Sequence, residues 1–219
     1  YQISTSRVMM RNFYGVLRTR EDEAPVRFRS LLHGGIVHGG QLLDPEMRLR
    51  PSSYFAATSG YGRLFASLPE EPRRVGVIGL GAGSMLAHAR RGDLFRFYEI
   101  NPQVLELAQR EFTFLRDSPA RVEVVLGDGR LSLEREPGQR FDVLAMDAFS
   151  GDSIPMHLLT REAMAIYLRH LKPGGALAFQ ATNRFIDIGP VVAALAAERG
   201  LTAVLVSDTP QSAEGADYW

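Results

Sequence analysis

Apolar and polar residues follow a period of two in the first part of the chain. Between Asn12 and Gln41, short segments alternate apolar and polar side chains, which predicts β-strands with one buried face. The dipeptide Gly34-Gly35 lies between two such segments and is typical of a tight hairpin turn. We therefore predict a small antiparallel sheet of about three strands within residues 1–50.

The pattern changes beyond Val75, where short apolar runs alternate with stretches of helical period. This alternation predicts an α/β domain over residues 51–219, with a mostly parallel sheet covered by helices. The predicted strands are Val75–Gly79, Phe95–Ile100, Val122–Leu126, Phe141–Asp147, Ala176–Gln180 and Ala203–Val206. The predicted helices are Ser52–Leu68, Ser84–Arg91, Pro102–Glu111, Leu131–Arg135, Arg161–Leu171 and Ile188–Arg199.

A glycine-rich turn follows the first strand of this domain, with glycines at alternate positions: Gly79, Gly81 and Gly83. Glycine has no Cβ, so such a turn lets the backbone approach a nucleotide closely. Glu99 ends the next strand about 20 residues after Gly79, where a carboxylate can accept both ribose hydroxyls. The third glycine of the dinucleotide fingerprint is replaced by Ser84, which weakens an NAD interpretation. A tight turn without any ligand is the alternative.

Three consecutive predicted strands end in an acidic residue: Glu99, Asp128 and Asp147. Ligands of open α/β sheets bind outside the carboxyl ends of the strands. Asp128 can accept a hydrogen bond from an adenine amino group, and Gly129 leaves room for the base. The set predicts an adenosine site, although a single aspartate in this position is more often a helix cap.

The loop that begins at Asp147 carries a second carboxylate, Asp152, and no helical pattern. A carboxylate there can hold a cationic amine and accept its proton as the amine attacks an electrophilic carbon. Capping of the following helix is the alternative. His33 and His38 flank the predicted hairpin turn, which can face the same edge of the sheet, and we predict that His38 binds the substrate.

Composition narrows the function classes further. The 219 residues are 45% hydrophobic and 23% charged, with 25 Lys+Arg against 25 Asp+Glu, so no basic surface for nucleic acid is predicted. The absence of cysteine excludes disulfides, thiolate zinc sites and a cysteine nucleophile. No histidine–carboxylate spacing predicts a metal site. No apolar run reaches the roughly 18–20 residues of a membrane helix.

The motifs together resemble those of the spermidine synthase (polyamine aminopropyltransferase) family, a branch of the Rossmann-like S-adenosylmethionine enzymes. The matching positions are Gly79–Gly83, Glu99, Asp128-Gly129 and Asp147. The segments Asn12–Leu17, His33–Gln41 and Asp147–Thr160 are similar to a bacterial subgroup of spermidine-synthase-like domains, which are often fused to a membrane-spanning region. The resemblance implies a Rossmann-like fold preceded by a small antiparallel sheet.

The resemblance also implies roles for individual residues. Asp147 is the residue expected to orient and deprotonate the attacking amine, with Asp152 as the second acid of the loop. Gln41 matches a substrate-contacting position that we assign to the nucleoside donor, while Tyr54 and Gln180 match positions that line the amine pocket. The implied co-substrate is S-adenosylmethionine or its decarboxylated form, without a metal, and the implied acceptor is a small amine.

Two departures from the family pattern affect how amines are held. Ala82 stands where the family usually has an aspartate that binds the aminopropyl ammonium, and Asp152 follows Asp147 by five positions rather than three. Four functions therefore stay open: aminopropyl transfer to an amine, cyclisation of the donor by its own amine, methyl transfer, and nucleotide sensing without catalysis. The resemblance further implies a cytoplasmic domain that a fused region can tether to the inner membrane, and the edge of the small sheet could pair in a homodimer.

Overall fold

Two β-sheets organise the part of the chain that the computed structural model describes, residues 6–149, 154–181 and 186–208. The first sheet is antiparallel, with strands in the order β1-β2-β3-β4. Its strands are β1 (Ser6–Asn12), β2 (Gly15–Asp22), β3 (Phe28–His33) and β4 (Ile36–Leu42). The predicted Gly34-Gly35 turn joins β3 to β4, whereas β1 lies mostly in a stretch whose sequence gave no clear pattern. The predicted three-stranded sheet therefore has four strands.

The second sheet is parallel, with its five strands in the order β7-β6-β5-β8-β9. They are β5 (Arg74–Ile78), β6 (Leu94–Glu99), β7 (Arg121–Leu126), β8 (Phe141–Met146) and β9 (Leu171–Phe179). The chain builds outward from β5 through β6 and β7, then returns to place β8 on the other side of β5. This reversal creates a crevice at the carboxyl ends of β5 and β8, which is where ligands of such sheets bind. The sequence prediction of a Rossmann-like α/β fold is confirmed.

Six α-helices and three short 3-10 turns connect the strands within the described residues. The helices are α1 (Gly60–Ser67), α2 (Pro102–Arg110), α3 (Phe114–Asp117), α4 (Gly129–Arg135), α5 (Arg161–His170) and α6 (Gly189–Ala197). The 3-10 turns are Ser53–Phe55, Ser84–His88 and Met156–Leu158. Local chemistry fixes several helix starts: Asn101 caps α2 ahead of Pro102, and Thr160 caps α5 by accepting the Ala163 N–H at 3.1 Å.

Three predicted elements differ from the structure. The predicted helix Ser52–Leu68 is interrupted, because Ser59 caps a new helix by accepting the Gly62 N–H. The predicted helix Ser84–Arg91 is a 3-10 turn that ends at His88, where the next residue is extended. The predicted strand Ala203–Val206 is wrong, since residues 201–208 have no regular secondary structure and Val204 is 81% exposed.

The two sheets share one hydrophobic core. Leu17 and Leu31 of the small sheet belong to the same buried cluster as Val77 and Phe97 of the parallel sheet. The small sheet is thereby held against the glycine loop, and Ala82 donates its N–H toward the His38 carbonyl at 3.4 Å. The division into regions 1–50 and 51–219 stays a prediction. No helix of the described residues is long and apolar enough to cross a membrane.

Candidate active site

A cavity of about 330 Å³ lies where the carboxyl ends of the central strands meet the hairpins of the small sheet. Eight of the residues that the sequence singles out line it: His38, Tyr54, Gly79, Gly81, Glu99, Asp128, Gly129 and Asp147. Seven of them come from β4 or from the carboxyl ends of β5, β6, β7 and β8, and Tyr54 comes from the 3-10 turn Ser53–Phe55. These eight predicted residues therefore share one space, while their individual roles stay predictions.

The glycine loop owes its conformation first to the protein's own backbone. Gly79 and Gly81 have φ values of +96° and +53°, which favour glycine. A Cβ on Gly79 would lie 2.4 Å from the Asp147 carbonyl oxygen, and one on Gly81 would lie 2.6 Å from that of His38. From the sequence, these glycines were predicted to let a nucleotide approach the backbone. In the structure, the neighbouring carbonyl groups also leave no room for a side chain at either position. Gly83 (φ +85°) packs near Phe114, outside the cavity lining.

Glu99 is a buried carboxylate held by backbone N–H groups. Its Oε2 accepts from Leu80 at 2.9 Å, and its Oε1 accepts from Asn101 at 2.8 Å. Burial raises the pKa of Glu99, and the hydrogen bonds from the backbone oppose that rise. Each oxygen keeps a second lone pair, so the fixed carboxylate can still accept hydroxyl groups from the cavity.

Asp128 caps a helix, which was the alternative interpretation of its position, and it also lines the cavity. Its Oδ1 accepts the Leu131 N–H at 2.8 Å and caps α4, while its Oδ2 lies 2.9 Å from Nε2 of His157. Gly129 follows at the first position of that helix, where a Cβ would lie 2.6 Å from the side chain of Ile78. The two interpretations of Asp128 are therefore compatible, because capping fixes the carboxylate that faces the cavity.

Asp147 differs from the other two acids in having an unsatisfied oxygen. Its backbone N–H donates to Ile78 at 2.9 Å, which continues the pairing of β8 with β5. Its Oδ1 is buried without a hydrogen-bond partner among the described residues, and burial raises the pKa of Asp147 well above its usual value. Burial also raises the pKa values of the neighbouring Tyr54 and Tyr61 phenols, with a further contribution from Asp147. Such a carboxylate is poised to take up a proton or to pair with an ammonium group.

His38 provides a second unsatisfied group on the cavity wall. Its Nε2 is buried and has no partner within the described chain. Burial, together with a smaller contribution from nearby His33, lowers the pKa of His38 to about 4, so the imidazole is neutral at physiological pH. The rings of His33 and His38 are 5.6 Å apart, and Nε2 of His33 lies 2.7 Å from the Tyr14 carbonyl oxygen. Both histidines therefore belong to the cavity, as the hairpin position allowed.

Two further predicted residues, Gln41 and Gln180, lie outside the cavity lining. Gln41 is outside the lining and buried, and its amide bonds the Arg48 carbonyl at 2.9 Å and the side chain and backbone of Thr113 at 2.9 and 3.0 Å. Its contacts join β4 to the start of α3, so the geometry gives no support to a role in donor binding. Gln180 follows β9, outside the lining, and donates its backbone N–H to Met146 at 3.0 Å. Asp152 lies outside the described residues.

Sequence reasoning missed two parts of the cavity rim. Asn12 donates to the Asn101 side chain at 2.6 Å and brings the tip of the β1–β2 hairpin over the carboxyl end of β6. Phe13 at that tip lines the cavity, although it is 95% exposed. His157 also lines the cavity through its contact with Asp128. The aromatic pair Phe13-Tyr14 next to Gly15 was the available signal for the first part, whereas the second depends on a contact across 29 residues.

Metal ligation has no structural support in residues 6–149, 154–181 and 186–208. No group of three or more His, Asp or Glu side chains in these ranges could hold a metal ion.

The chain has curated relatives of one kind. It is 37% identical over 112 residues to the polyamine aminopropyltransferase of Vibrio vulnificus, a match that covers 49% of this chain and 37% of that protein. It is 26% identical over 169 residues to the spermine synthase of Arabidopsis thaliana, covering 73% of this chain and 45% of that protein. The chain thus spans less than half the length of these two relatives. No family model matches it.

The fold has a counterpart among solved structures. A probable spermidine synthase from Corynebacterium glutamicum superimposes with a TM-score of 0.70 at 18% sequence identity. The superposition covers 89% of this chain and 70% of that one. This likeness concerns the fold alone.

Proposed function

The chain is spermidine synthase-like in sequence and in fold, and from this premise we propose that it transfers the aminopropyl group of decarboxylated S-adenosylmethionine to a small amine. The observation that carries the proposal is the buried, unpartnered carboxylate oxygen of Asp147 in the same cavity as Glu99 and Asp128. In this assignment Glu99 binds the ribose and Asp128 the adenine. Asp147 then lies at the reactive end, next to the amine.

The reaction forms one bond and breaks another at a single carbon. The amine nitrogen attacks the aminopropyl carbon bound to the sulfonium, and the carbon–sulfur bond breaks with its electron pair moving to sulfur. Methylthioadenosine leaves as a neutral thioether, and the nitrogen gives up a proton to Asp147. The raised pKa of Asp147 suits this role, because a carboxylate with an ordinary pKa is a weaker proton acceptor. Positioning of the two substrates in line supplies the rest of the rate.

The charges on the cavity wall favour a donor without a carboxylate. Among the described lining residues the ionisable acids are Glu99, Asp128 and Asp147, and neither lysine nor arginine joins them. The carboxylate of intact S-adenosylmethionine would meet acidic side chains there without a described cationic partner, whereas an ammonium group would be attracted. The presence of acidic side chains without a lysine or arginine among the described lining residues supports the decarboxylated donor and an amine acceptor.

Ring closure within the donor is the second candidate, and Ala82 is the observation that favours it. Ala82 is 1% exposed and lies outside the cavity lining, so it offers no carboxylate to the donor's ammonium group. Asp147 could then deprotonate that same amine, which would attack the carbon next to its own sulfonium. The products would be a cyclic amine and methylthioadenosine, with no acceptor consumed.

The test is to incubate the protein with decarboxylated S-adenosylmethionine, with and without putrescine, and to measure methylthioadenosine. Release that requires the diamine supports transfer, and release without it supports ring closure. Transfer of the donor's sulfonium methyl group to a new product, with release of the demethylated nucleoside thioether, would instead indicate methylation. Binding of nucleoside without any of these products, and without change in Asp147→Asn, would contradict catalysis and leave nucleotide sensing.

A matched control separates the role of Asp147 from a general effect of removing an acid. Asp44 is exposed and outside the cavity, where its Oδ1 accepts the Glu46 N–H at 3.0 Å. Asp44→Asn makes the same chemical change as Asp147→Asn and should keep the wild-type rate. Equal losses in the two variants would contradict the assignment of Asp147.

Assembly and location extend the proposal beyond the cavity. Strand β1 forms one edge of the small sheet, and pairing of two such edges would give a homodimer. Light scattering of the protein measures this directly, and a monomer would contradict it. Tethering of the domain at the cytoplasmic face of the inner membrane is tested by fractionating cells that express the full-length protein.

A further inference from the structure

A histidine–carboxylate pair lines the nucleoside end of the cavity. His157 Nε2 lies 2.9 Å from Asp128 Oδ2, and both residues face the cavity. Asp128 Oδ1 is engaged with the Leu131 N–H at 2.8 Å, so the carboxylate is fixed by the helix that it caps. The carboxylate half of the pair therefore has one orientation.

Backbone contacts fix the histidine half. Arg130 donates a guanidinium N–H to the His157 carbonyl oxygen at 2.7 Å. The next carbonyl, that of Leu158, accepts the Tyr167 hydroxyl at 3.1 Å, and Leu158 itself is buried. The imidazole is thus carried on an anchored turn, although 48% of its side chain is exposed. An exposed ring held in this way can meet a ligand without a large rearrangement.

The contact with Asp128 determines the tautomer of His157. An ionised carboxylate only accepts hydrogen bonds, so the shared proton is carried by Nε2 of the imidazole. In the neutral ring the other nitrogen, Nδ1, then holds a lone pair and acts as an acceptor. Nδ1 has no hydrogen-bond partner within the part of the chain that the structure describes. Nδ1 therefore remains available as an acceptor, on the side of the imidazole that points away from Asp128.

We propose that His157 reads the base of the nucleoside, with Nδ1 accepting a hydrogen from the exocyclic amino group of adenine. The inference rests on the proposed function, because it requires an adenine nucleoside in this cavity. An acceptor at Nδ1 favours a 6-amino purine, whose substituent donates, and disfavours a 6-oxo purine, whose oxygen only accepts. His157 is thus a specificity-determining residue, and Asp128 holds it in the accepting tautomer.

The experiment titrates methylthioadenosine and methylthioinosine into the wild-type protein and two variants. His157→Gln places an amide near the position of Nε2, so it can keep the bond to Asp128 but lacks an acceptor at Nδ1. His157→Asn places its amide near the position of Nδ1, so it can keep an acceptor but loses the bond to Asp128. The two variants therefore separate base reading from simple anchoring of the turn.

The expected preference of the wild-type protein for methylthioadenosine is about ten- to a hundredfold, the range that an unpaired buried polar group costs. In His157→Gln this preference falls by about tenfold, and in His157→Asn it falls less. Thermal unfolding checks that both variants keep the wild-type fold.

Three results overturn the inference. The first is equal affinity of the wild-type protein for the two nucleosides, which needs no variant to observe. The second is an unchanged preference in His157→Gln, and the third is a larger loss in His157→Asn than in His157→Gln, which would make His157 an anchor of the turn only. Failure of the folded wild-type protein to bind either nucleoside would overturn the proposed function as well, so the two failures are distinguishable.

Discussion

The two ends of the cavity treat their carboxylates in opposite ways. At the nucleoside end, each oxygen of Glu99 and Asp128 has a hydrogen-bond partner from a backbone N–H or a histidine. At the amine end, an oxygen of Asp147 and a nitrogen of His38 are buried without described partners. The carboxylates of the first end are satisfied before any ligand binds, whereas no described residue satisfies these two groups at the second.

This difference supports the proposal that one end of the cavity binds the nucleoside and the other carries out the reaction. Fully bonded carboxylates hold a fixed geometry at little cost in stability. A buried carboxylate without a partner destabilises the folded state, and such groups concentrate at sites where proton transfer uses the shifted pKa. We therefore propose that Glu99 and Asp128 recognise the nucleoside and that Asp147 carries the chemistry, and four predictions test this division.

The largest effect is expected from Asp147→Asn. The amide cannot take the proton of the attacking amine, so turnover should fall by about 10²–10⁴, the usual contribution of a general base. Methylthioadenosine release at saturating donor and amine measures this loss, with Asp44→Asn as the control. A turnover within a factor of three of wild type would remove Asp147 from the chemistry.

Glu99→Gln should act at the other end of the cavity. The amide has only one oxygen, so its NH₂ group must face the N–H of either Leu80 or Asn101. We expect a loss of about 1–3 kcal/mol in stability and a nucleoside affinity lower by about ten- to a hundredfold. Calorimetric titration with methylthioadenosine, together with thermal unfolding, provides both numbers. Unchanged affinity would exclude Glu99 from nucleoside binding.

His38→Leu should change amine binding selectively. Leucine cannot accept a hydrogen bond from the amine, so the KM for the amine should rise about tenfold. Stability should hardly change, because the buried Nε2 has no described partner to lose. Steady-state kinetics with varied amine measure the effect, and nucleoside affinity serves as the internal control. A parallel loss of nucleoside affinity would show that His38 does not belong to the amine end alone.

The smallest effect concerns the stability of Asp147→Asn and its pH dependence. Because the pKa of Asp147 is higher in the folded than in the unfolded chain, its carboxyl contributes most stability at pH values below the unfolded pKa. That contribution is lost as the pH rises through the folded pKa. The variant should therefore be more stable than wild type by about 1 kcal/mol at neutral pH, with the difference vanishing near pH 4. Denaturant unfolding at both pH values measures this difference in stability. A variant less stable than wild type at neutral pH would contradict the idea that burial of the Asp147 carboxylate destabilises the protein.

Local patterns in the sequence predicted the features that local chemistry controls. The Gly34-Gly35 turn, the alternating strands and the Asn101-Pro102 helix start depend on neighbouring residues, and the structure contains all three. The convergence of Glu99, Asp128 and Asp147 followed from a general rule of parallel sheets rather than from their side chains. The strand ends could therefore be placed without knowledge of any contact.

The features that the sequence did not predict depend on contacts between distant residues. Gln41 fits a family position by sequence, yet it hydrogen-bonds Thr113, 72 residues away, outside the cavity lining. His157 had no recognisable spacing, because its partner Asp128 lies on a different strand end. The segment Ala203–Val206 has strand-like composition, but composition does not supply a neighbouring strand. Tertiary packing decided each of these cases.

Titration of methylthioadenosine into the wild-type protein and Asp147→Asn tests whether recognition and chemistry are separated within one cavity. This nucleoside carries neither the sulfonium nor the aminopropyl amine, so its binding should depend on the nucleoside end alone. We predict affinities that agree within about a factor of two, equivalent to less than 0.5 kcal/mol, in a variant that has lost turnover. A nucleoside affinity more than about tenfold weaker in Asp147→Asn would contradict the separation.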